Sequence, residues 1–293
     1  NLSVGRKVFI VSNAVLIILI TLACLIPIIN LLARSFSGSQ AIIENRVTLW
    51  PVDFNVEAYR HVMNTGEFWT ALMVTMKRVI LGVPINMLLT ILAAYPLSKS
   101  NHVFRARKYY SFYFIFLMVF NGGLIPTYLI VSQLGLIDSI WSLILPGAVP
   151  IFNVILVMNF FRGLPEELEE SAMLDGAGQW TILWRIFLPL SKPSIATVSL
   201  FSLIGHWNAW FDGLIYSNFT SNYPLQSYLQ TLVVDIQGTL LSGDLDSIIN
   251  TMNINDINLK AAQIFISIIP LFAVYPFMQK YFTEGLTLGS VKG

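Results

Sequence analysis

Long apolar windows without charge alternate with short charged connections along this chain. The windows cover Val8–Ala33, Val79–Leu97, Tyr109–Ile137, Ser139–Phe161, Pro193–Phe211 and Ala261–Gln279. About 20 apolar residues are needed to cross a hydrocarbon core as a helix, and each window has at least 19. The pattern predicts an all-α membrane protein, a single transmembrane domain over residues 1–293. Its six spans fall near 8–33, 79–97, 109–132, 139–161, 193–214 and 261–280. The third window outlasts one crossing; Gln133-Leu134-Gly135 reads as its closing turn, and Asp138 separates it from the fourth. The first window is too long for a signal-peptide core and reads as an anchor.

One interval in the middle of the chain, residues 163–190, does not belong in lipid. Within it PEELEESAMLDGAGQWTILWRIFLP places Glu166, Glu167, Glu169, Glu170 and Asp175 close together. Pro165 suits a first helical position, where its missing N–H costs nothing. The acids behind it suit the positive end of a helix dipole. Gly176 predicts a bend and the start of a second helix. There Trp180, Leu183, Trp184 and Phe187, at i, i+3, i+4 and i+7, predict one apolar face. The reading is two short helices outside the bilayer.

Composition agrees with a polytopic membrane protein: 55% of residues are hydrophobic, 11% are charged and the mean hydropathy is +0.69, against about 25% charged in a soluble domain. The net charge of +1 says nothing about nucleic acid, but no basic patch with interleaved aromatics occurs, and no nucleic-acid partner is expected. The single cysteine, Cys24, excludes an internal disulfide and reads as a packing residue. No phosphate-binding loop occurs, so the chain is not expected to hydrolyse ATP. His61, His102 and His206 are far apart in sequence, and one cysteine completes no zinc set. No nucleophile motif is present. The expectation is a transport subunit rather than an enzyme, with no catalytic residue, metal or cofactor of its own.

Lysine and arginine set the orientation. Eleven of the 17 lie on one side, at Arg6, Lys7, Lys99, Arg105, Arg107, Lys108, Arg162, Arg185, Lys192, Lys280 and Lys292. That side is read as cytoplasmic, with both termini and the acidic loop on it. On the other side Ser35–Thr70 carries Phe54 and Tyr59, suited to a short helix on the membrane surface. Ser217–Lys260 carries Asp235, Asp244, Asp246 and Asp256. It reads as solvated connector or as a docking rim for an external binding protein.

Polar side chains within spans are costly unless paired or facing water. Those singled out as lining a substrate path are Asn86, Asn121, Tyr128, Asn153, His206, Trp207, Asn208, Trp210 and Asp212. The stretch IGHWNAWFDGLIY interleaves hydrogen-bonding groups with flat aromatics, which suits a sugar. The alternative is hydrogen bonding between helices plus an interfacial aromatic belt. FNGGLIPTYL interrupts the third span with Gly122, Gly123 and Pro126; a kinked path-lining helix and a close helix contact both fit.

The acidic interval resembles the cytoplasmic motif of permease subunits in binding-protein-dependent ABC importers. Glu170-Ser171-Ala172 is followed by three residues and Gly176, then nine more, then Ile186, Phe187 and Leu188-Pro189. Only Ser171, where the family has alanine, departs from it. The terminus at Gly285, Gly289, Val291, Lys292 and Gly293 is similar to that of the carbohydrate-uptake branch. AYPLS at Ala94–Ser98, GGLIPTY at Gly122–Tyr128 and HWNAWFDGLIY at His206–Tyr216 resemble its subgroup for complex saccharides, alginate importers among them. The resemblance implies a type I importer permease with six helices in a bacterial cytoplasmic (inner) membrane. Glu166, Glu167, Glu169, Glu170, Ser171, Ala172, Asp175, Gly176, Ile186, Leu188 and Pro189 would form the coupling helix and its support. Implied partners are a second, different permease, two ATP-binding subunits that hold ATP and Mg, an extracytoplasmic binding protein, a carbohydrate and the lipid bilayer. A self-sufficient secondary transporter or channel is the competing reading; it needs ionisable groups near the midplane, and only His206 offers one.

Overall fold

The computed structural model describes residues 3–231 and 256–290. Helices follow one another as α1 (Val4–Ser35), α2 (Ser39–Ile43), α3 (Glu57–Asn64), α4 (Gly66–Ser98), α5 (Arg107–Val119) and α6 (Leu124–Gln133). Two 3-10 turns, Ile140–Leu143 and Leu145–Gly147, lead into α7 (Ile151–Arg162) and α8 (Glu166–Leu174). Then come α9 (Gln179–Ile182), a π-helical turn at Leu183–Phe187, α10 (Leu188–Leu190), α11 (Lys192–Asn208), α12 (Phe211–Tyr216) and the final helix α13 (Asp256–Ser290). No strand occurs among the described residues.

Among the described residues, only α1 and α4 are unbroken helices long and apolar enough to cross a membrane alone. The third apolar window is not one helix: α5 and α6 meet at 111°. Phe120–Gly123 separates them, and Gly123 takes φ +91°, a backbone state open to glycine. The fourth is also broken, because Pro146, Gly147 and Pro150 hold its first part in 3-10 turns angled 47° from α7. The fifth starts at an 84° bend from Gln179–Leu190 and stops at Asn208, before the separate α12. The second begins at Gly66, well ahead of Val79, so Lys77 and Arg78 sit inside α4 rather than beyond its end. In α13 the apolar stretch is Asn258–Val274.

The chain forms two compact units, Asn1–Trp69 with Leu229–Pro270 and Thr70–Tyr228 with Leu271–Gly293. In the first, Ala33, Ala41, Ile42 and Val47 form a small core at the end of α1. Tyr59 stands on the short helix α3 and Phe54 lies just ahead of it. Both rings stack on Phe36, at 4.6 and 5.4 Å, and the Tyr59 hydroxyl bonds Ser35 Oγ at 2.7 Å. Cys24 is exposed on α1 rather than packed. Asp235, Asp244, Asp246 and Val291–Gly293 lie outside the described residues.

The second unit holds the larger core. Ile91, Ala94, Tyr95 and Leu97 of α4 meet Val154, Val157, Met158 and Phe161 of α7 and Val198 of α11. Ala172, Ile182, Leu183 and Phe187 of the acidic interval enter the same cluster. That interval is therefore fastened to the helix bundle.

Candidate functional site

The acidic interval is built around a glycine. Helix α8 starts one residue later than the sequence suggests, with Pro165 as N-cap and Glu166, Glu167 and Glu169 in the first turn. No side chain caps it, so these carboxylates near the free N–H groups supply the favourable electrostatics. At the other end Gly176 takes φ +80°. The Gly176 N–H donates to the Met173 carbonyl at 3.0 Å and the Ala177 N–H to the Ala172 carbonyl at 2.9 Å. This is a Schellman closure, in which a left-handed residue just past the helix lets two amides satisfy its last carbonyls. Ala172 and Ala177 both pack on the core, as the motif's apolar contact requires. The three-residue gap between Ala172 and Gly176 thus has a mechanical cause. Ser171 Oγ donates back to the Glu167 carbonyl at 2.7 Å, so its hydroxyl is accommodated within the helix.

The second half departs from the expected single apolar face. Leu183 and Phe187 are buried with Ile182, whereas Trp180 and Trp184 are 63% and 43% exposed. The π turn at Leu183–Phe187 changes the residues per turn and so disperses a face reckoned at 3.6 residues. Ile186 and Leu188 pack on the core and Pro189 is exposed.

Lys99, whose local pattern marks it only as one cytoplasmic cation among several, ties the interval down. Its ammonium lies 2.7 Å from Glu169 Oε2 and 4.0 and 4.2 Å from the ring centres of Tyr95 and Phe187. Both partners are largely withdrawn from solvent. Burial pushes the Lys99 pKa below its ordinary value, and Glu169 opposes that shift. The Tyr95 hydroxyl bonds Gln179 Oε1 at 2.7 Å, and Arg162 donates to the Leu97 carbonyl at 2.9 Å, capping the end of α4. Of the acids, Glu169 alone turns inward; Glu166, Glu167, Glu170 and Asp175 stay exposed beside Leu174, itself 89% exposed.

A second polar assembly lies within the bundle. The Arg78 Nε–H donates to His206 Nδ1 at 3.3 Å, and both guanidinium arms reach the Asp212 carboxylate. His206 Nδ1 therefore accepts, which leaves the proton on Nε2 to donate to Asn86 Oδ1 at 2.6 Å. Asn86 Nδ2 in turn donates to the Gly147 carbonyl at 2.8 Å. The chain of donors runs one way, and both ring nitrogens of a neutral His206 are occupied. Arg78 also reaches the Ala209 carbonyl at 3.5 Å, while Ser227 Oγ donates to the Trp210 carbonyl at 2.6 Å. Both carbonyls lie where α11 breaks from α12, that of Trp210 also accepting from the Leu214 N–H at 3.4 Å, and a break at membrane depth needs such partners. The positive Arg78 sits at the C-terminal end of α11 and Asp212 in the first turn of α12, both signs matching the helix dipoles.

Asn153 bonds Ser202 Oγ at 3.2 Å and the Val198 carbonyl at 3.4 Å, and Trp207 is buried. Asn121, Tyr128, Asn208 and Trp210 are exposed. Tyr128 stacks on Tyr216 at 6.2 Å, and Asn121 Oδ1 accepts from the Gly123 N–H at 2.8 Å.

Gly82 gives His206 its place. A Cβ there would lie 2.6 Å from His206 Nε2 and 2.7 Å from Cε1. Gly82→Ala is expected to displace the imidazole and cost about 1–3 kcal/mol, as overpacking does. A lowered unfolding temperature, partly restored by adding His206→Ala, would show this; an unchanged midpoint would refute it.

The model of one family, described as the binding-protein-dependent transport system inner membrane component, matches residues 63–287. The polygalacturonan/rhamnogalacturonan transport system permease protein YtcP of Bacillus subtilis (strain 168) is 38% identical, covering 94% of this chain and 96% of that one. The arabinooligosaccharides transport system permease protein AraQ of Halalkalibacterium halodurans is 25% identical over 91% of both chains. A solved chain from a bacterial ABC transporter that imports the acidic polysaccharide alginate is 34% identical with a TM-score of 0.84, covering 96% of this chain and 99% of that one. With an acidic interval clamped to a helical bundle and matches of this extent, the chain belongs to the inner-membrane components of binding-protein-dependent transport systems, as a permease subunit and not an enzyme.

Proposed function

We propose that this chain is one of two membrane subunits of an ABC importer for acidic oligosaccharides, driven through α8. It is a carbohydrate permease working with other importer components. The observation that carries the coupling role is the mounting of α8. Its inner side is fixed by Glu169, Ala172 and the closure at Gly176. Its outer side presents Glu166, Glu167, Glu170, Asp175 and Leu174 to a partner. A helix held this way transmits displacement rather than absorbing it. The partner beneath it is the ATP-hydrolysing subunit, which holds ATP and Mg. Ile186, Leu188 and Pro189 close the interval, and Ser171 faces the same side as the free acids.

The basic residues support an arrangement with α8 and both termini in the cytoplasm of a bacterial cell. A different chain as second permease and an external binding protein complete the assembly. Relatives named for polygalacturonan and an acidic polysaccharide support an acidic substrate. Asn121, Tyr128, Asn208 and Trp210, exposed in this chain, face the path. Asn86, Asn153, His206, Trp207 and Asp212 hold its walls. A self-powered transporter is disfavoured by His206, whose two nitrogens are both spent on internal bonds.

The test separates folding from coupling. Glu170→Lys reverses an exposed charge; Gly176→Pro demands φ near −65° where the chain has +80° and removes the amide that closes α8. Both variants are expected to assemble in the membrane, while sugar uptake falls at least 10-fold in reconstituted vesicles and ATP hydrolysis persists. Uptake at the unmodified rate in either variant would overturn the coupling role.

A further inference from the structure

Two adjacent cations of α4 have different fates. Arg78 is 3% exposed and consumed by Asp212, His206 and Ala209. Lys77, next to it, is exposed, and among the described residues no acid pairs with it. Lys77 lies on the wall of a cavity of about 140 Å³ shared with Asp138, Ser139, Leu143, Ser217 and Asn222. The cavity is too small for a saccharide chain but suited to a carboxylate and the hydroxyls beside it.

The opposite wall is preset. Asp138 has φ +62° and accepts from the Asn218 amide N–H and from Asn218 Nδ2, both at 2.7 Å, with Asn222 Nδ2 at 3.4 Å. These bonds, that of the Asn218 side chain foremost, hold its pKa below the usual carboxylate range, so it stays an ionised acceptor. Ser139 Oγ accepts from the Trp141 N–H at 3.3 Å, which leaves its proton to donate. The cavity thus offers one exposed ammonium, one fixed carboxylate, hydroxyls and the apolar Leu143. A sugar acid presents the complement: a carboxylate for Lys77, ring hydroxyls for Asp138, and C–H groups for the apolar wall.

Depth agrees with a place on the substrate's route. At 1.5 Å per residue, Lys77 stands about 31 Å along α4 from its end at Ser98, close to the ~30 Å of a hydrocarbon core. The cavity is then at the outer mouth, where an arriving chain is still hydrated.

We infer that Lys77, with Asp138 and Ser139, forms a subsite that takes one uronate residue of an acidic oligosaccharide as it enters the permease. The inference rests on the acidic substrate proposed above. An interfacial lysine that merely reaches for water is the alternative, and charge rescue separates the two. The assembled transporter, with its partner subunits and binding protein, is reconstituted with Cys24→Ser, so that any introduced cysteine stands alone in this chain. Uptake of a defined oligogalacturonate is then followed in Lys77→Cys. The expected result is a drop of at least 5-fold, restored by an aminoethyl methanethiosulfonate that returns an ammonium and not by the sulfonatoethyl reagent of opposite charge. Lys77→Arg should retain most uptake, and ATP hydrolysis without substrate should stay unchanged. Uptake by Lys77→Cys equal to that with Lys77, or rescue by both reagents or neither, overturns the subsite while leaving the acidic substrate standing. If the transporter with Lys77 intact moves no oligogalacturonate, the substrate class fails, and the subsite fails with it.

Discussion

Glu169→Ala is expected to destabilise the permease by about 3–5 kcal/mol, the usual cost of leaving one member of a buried ion pair without its partner. Lys99 is the group left behind. It is 6% exposed and held between the Tyr95 and Phe187 rings. The rings would keep part of their attraction for the cation, but they do not replace a carboxylate at 2.7 Å. Because Glu169 is the inward acid of α8, the same change should also loosen the helix and lower uptake per ATP hydrolysed. Thermal unfolding of the purified complex measures the first effect and reconstituted uptake the second. Lys99→Met with Glu169→Leu removes both charges, and such replacements are neutral or stabilising by about 1–4 kcal/mol. That double variant should therefore regain the melting temperature of the parent. A single Glu169→Ala variant that melts with the parent would show that the pair is not buried in the assembled transporter.

The other large effect belongs to Asp212→Ala. Arg78 would keep a neutral imidazole and one carbonyl as acceptors but lose the one counter-charge it has among the described residues, again at a cost of about 3–5 kcal/mol. The damage should be local in origin, because the same guanidinium serves the Ala209 carbonyl at the break between α11 and α12. Amide exchange across residues 209–216 is expected to quicken well before the bundle melts. Asp212→Asn, which can still accept one hydrogen bond, should fall between. Arg78→Lys should not rescue function, since a single ammonium cannot reach the carboxylate twice and His206 and Ala209 as well. Unaltered exchange in Asp212→Ala would mean that the break is held by packing alone.

Much was legible before any fold was known, and the reasons are plain in particular residues. Long charge-free windows have few physical outcomes other than helices in lipid, so the class followed from hydropathy. The acidic interval was visible because charge is scarce elsewhere in the chain. Gly176 was visible because a bend after an acidic turn wants a residue without Cβ. The interruption at Gly122-Gly123 was visible for the same reason. Less legible was the break after Asn208, where Ala209 and Trp210 carry no helix-stopping signal and the side chain that reaches the Ala209 carbonyl, Arg78, is far away in sequence. The face of Trp180 and Trp184 was misjudged because a π turn leaves no mark in the residue pattern.

What the sequence determined by itself is the material: a membrane-spanning helical body and a short acidic interval with its glycine hinge, since hydropathy, charge and backbone freedom are properties of local stretches. The division of labour among the few polar groups was set by folding alone. Lys77 and Arg78 are neighbours of the same charge, and nothing in their order says that one is buried against Asp212 while the other stays open to a cavity. Glu169 differs from Glu170 only in which side of α8 it occupies relative to Lys99. Partnership at short range falls off with distance in space, and chain order does not carry that distance.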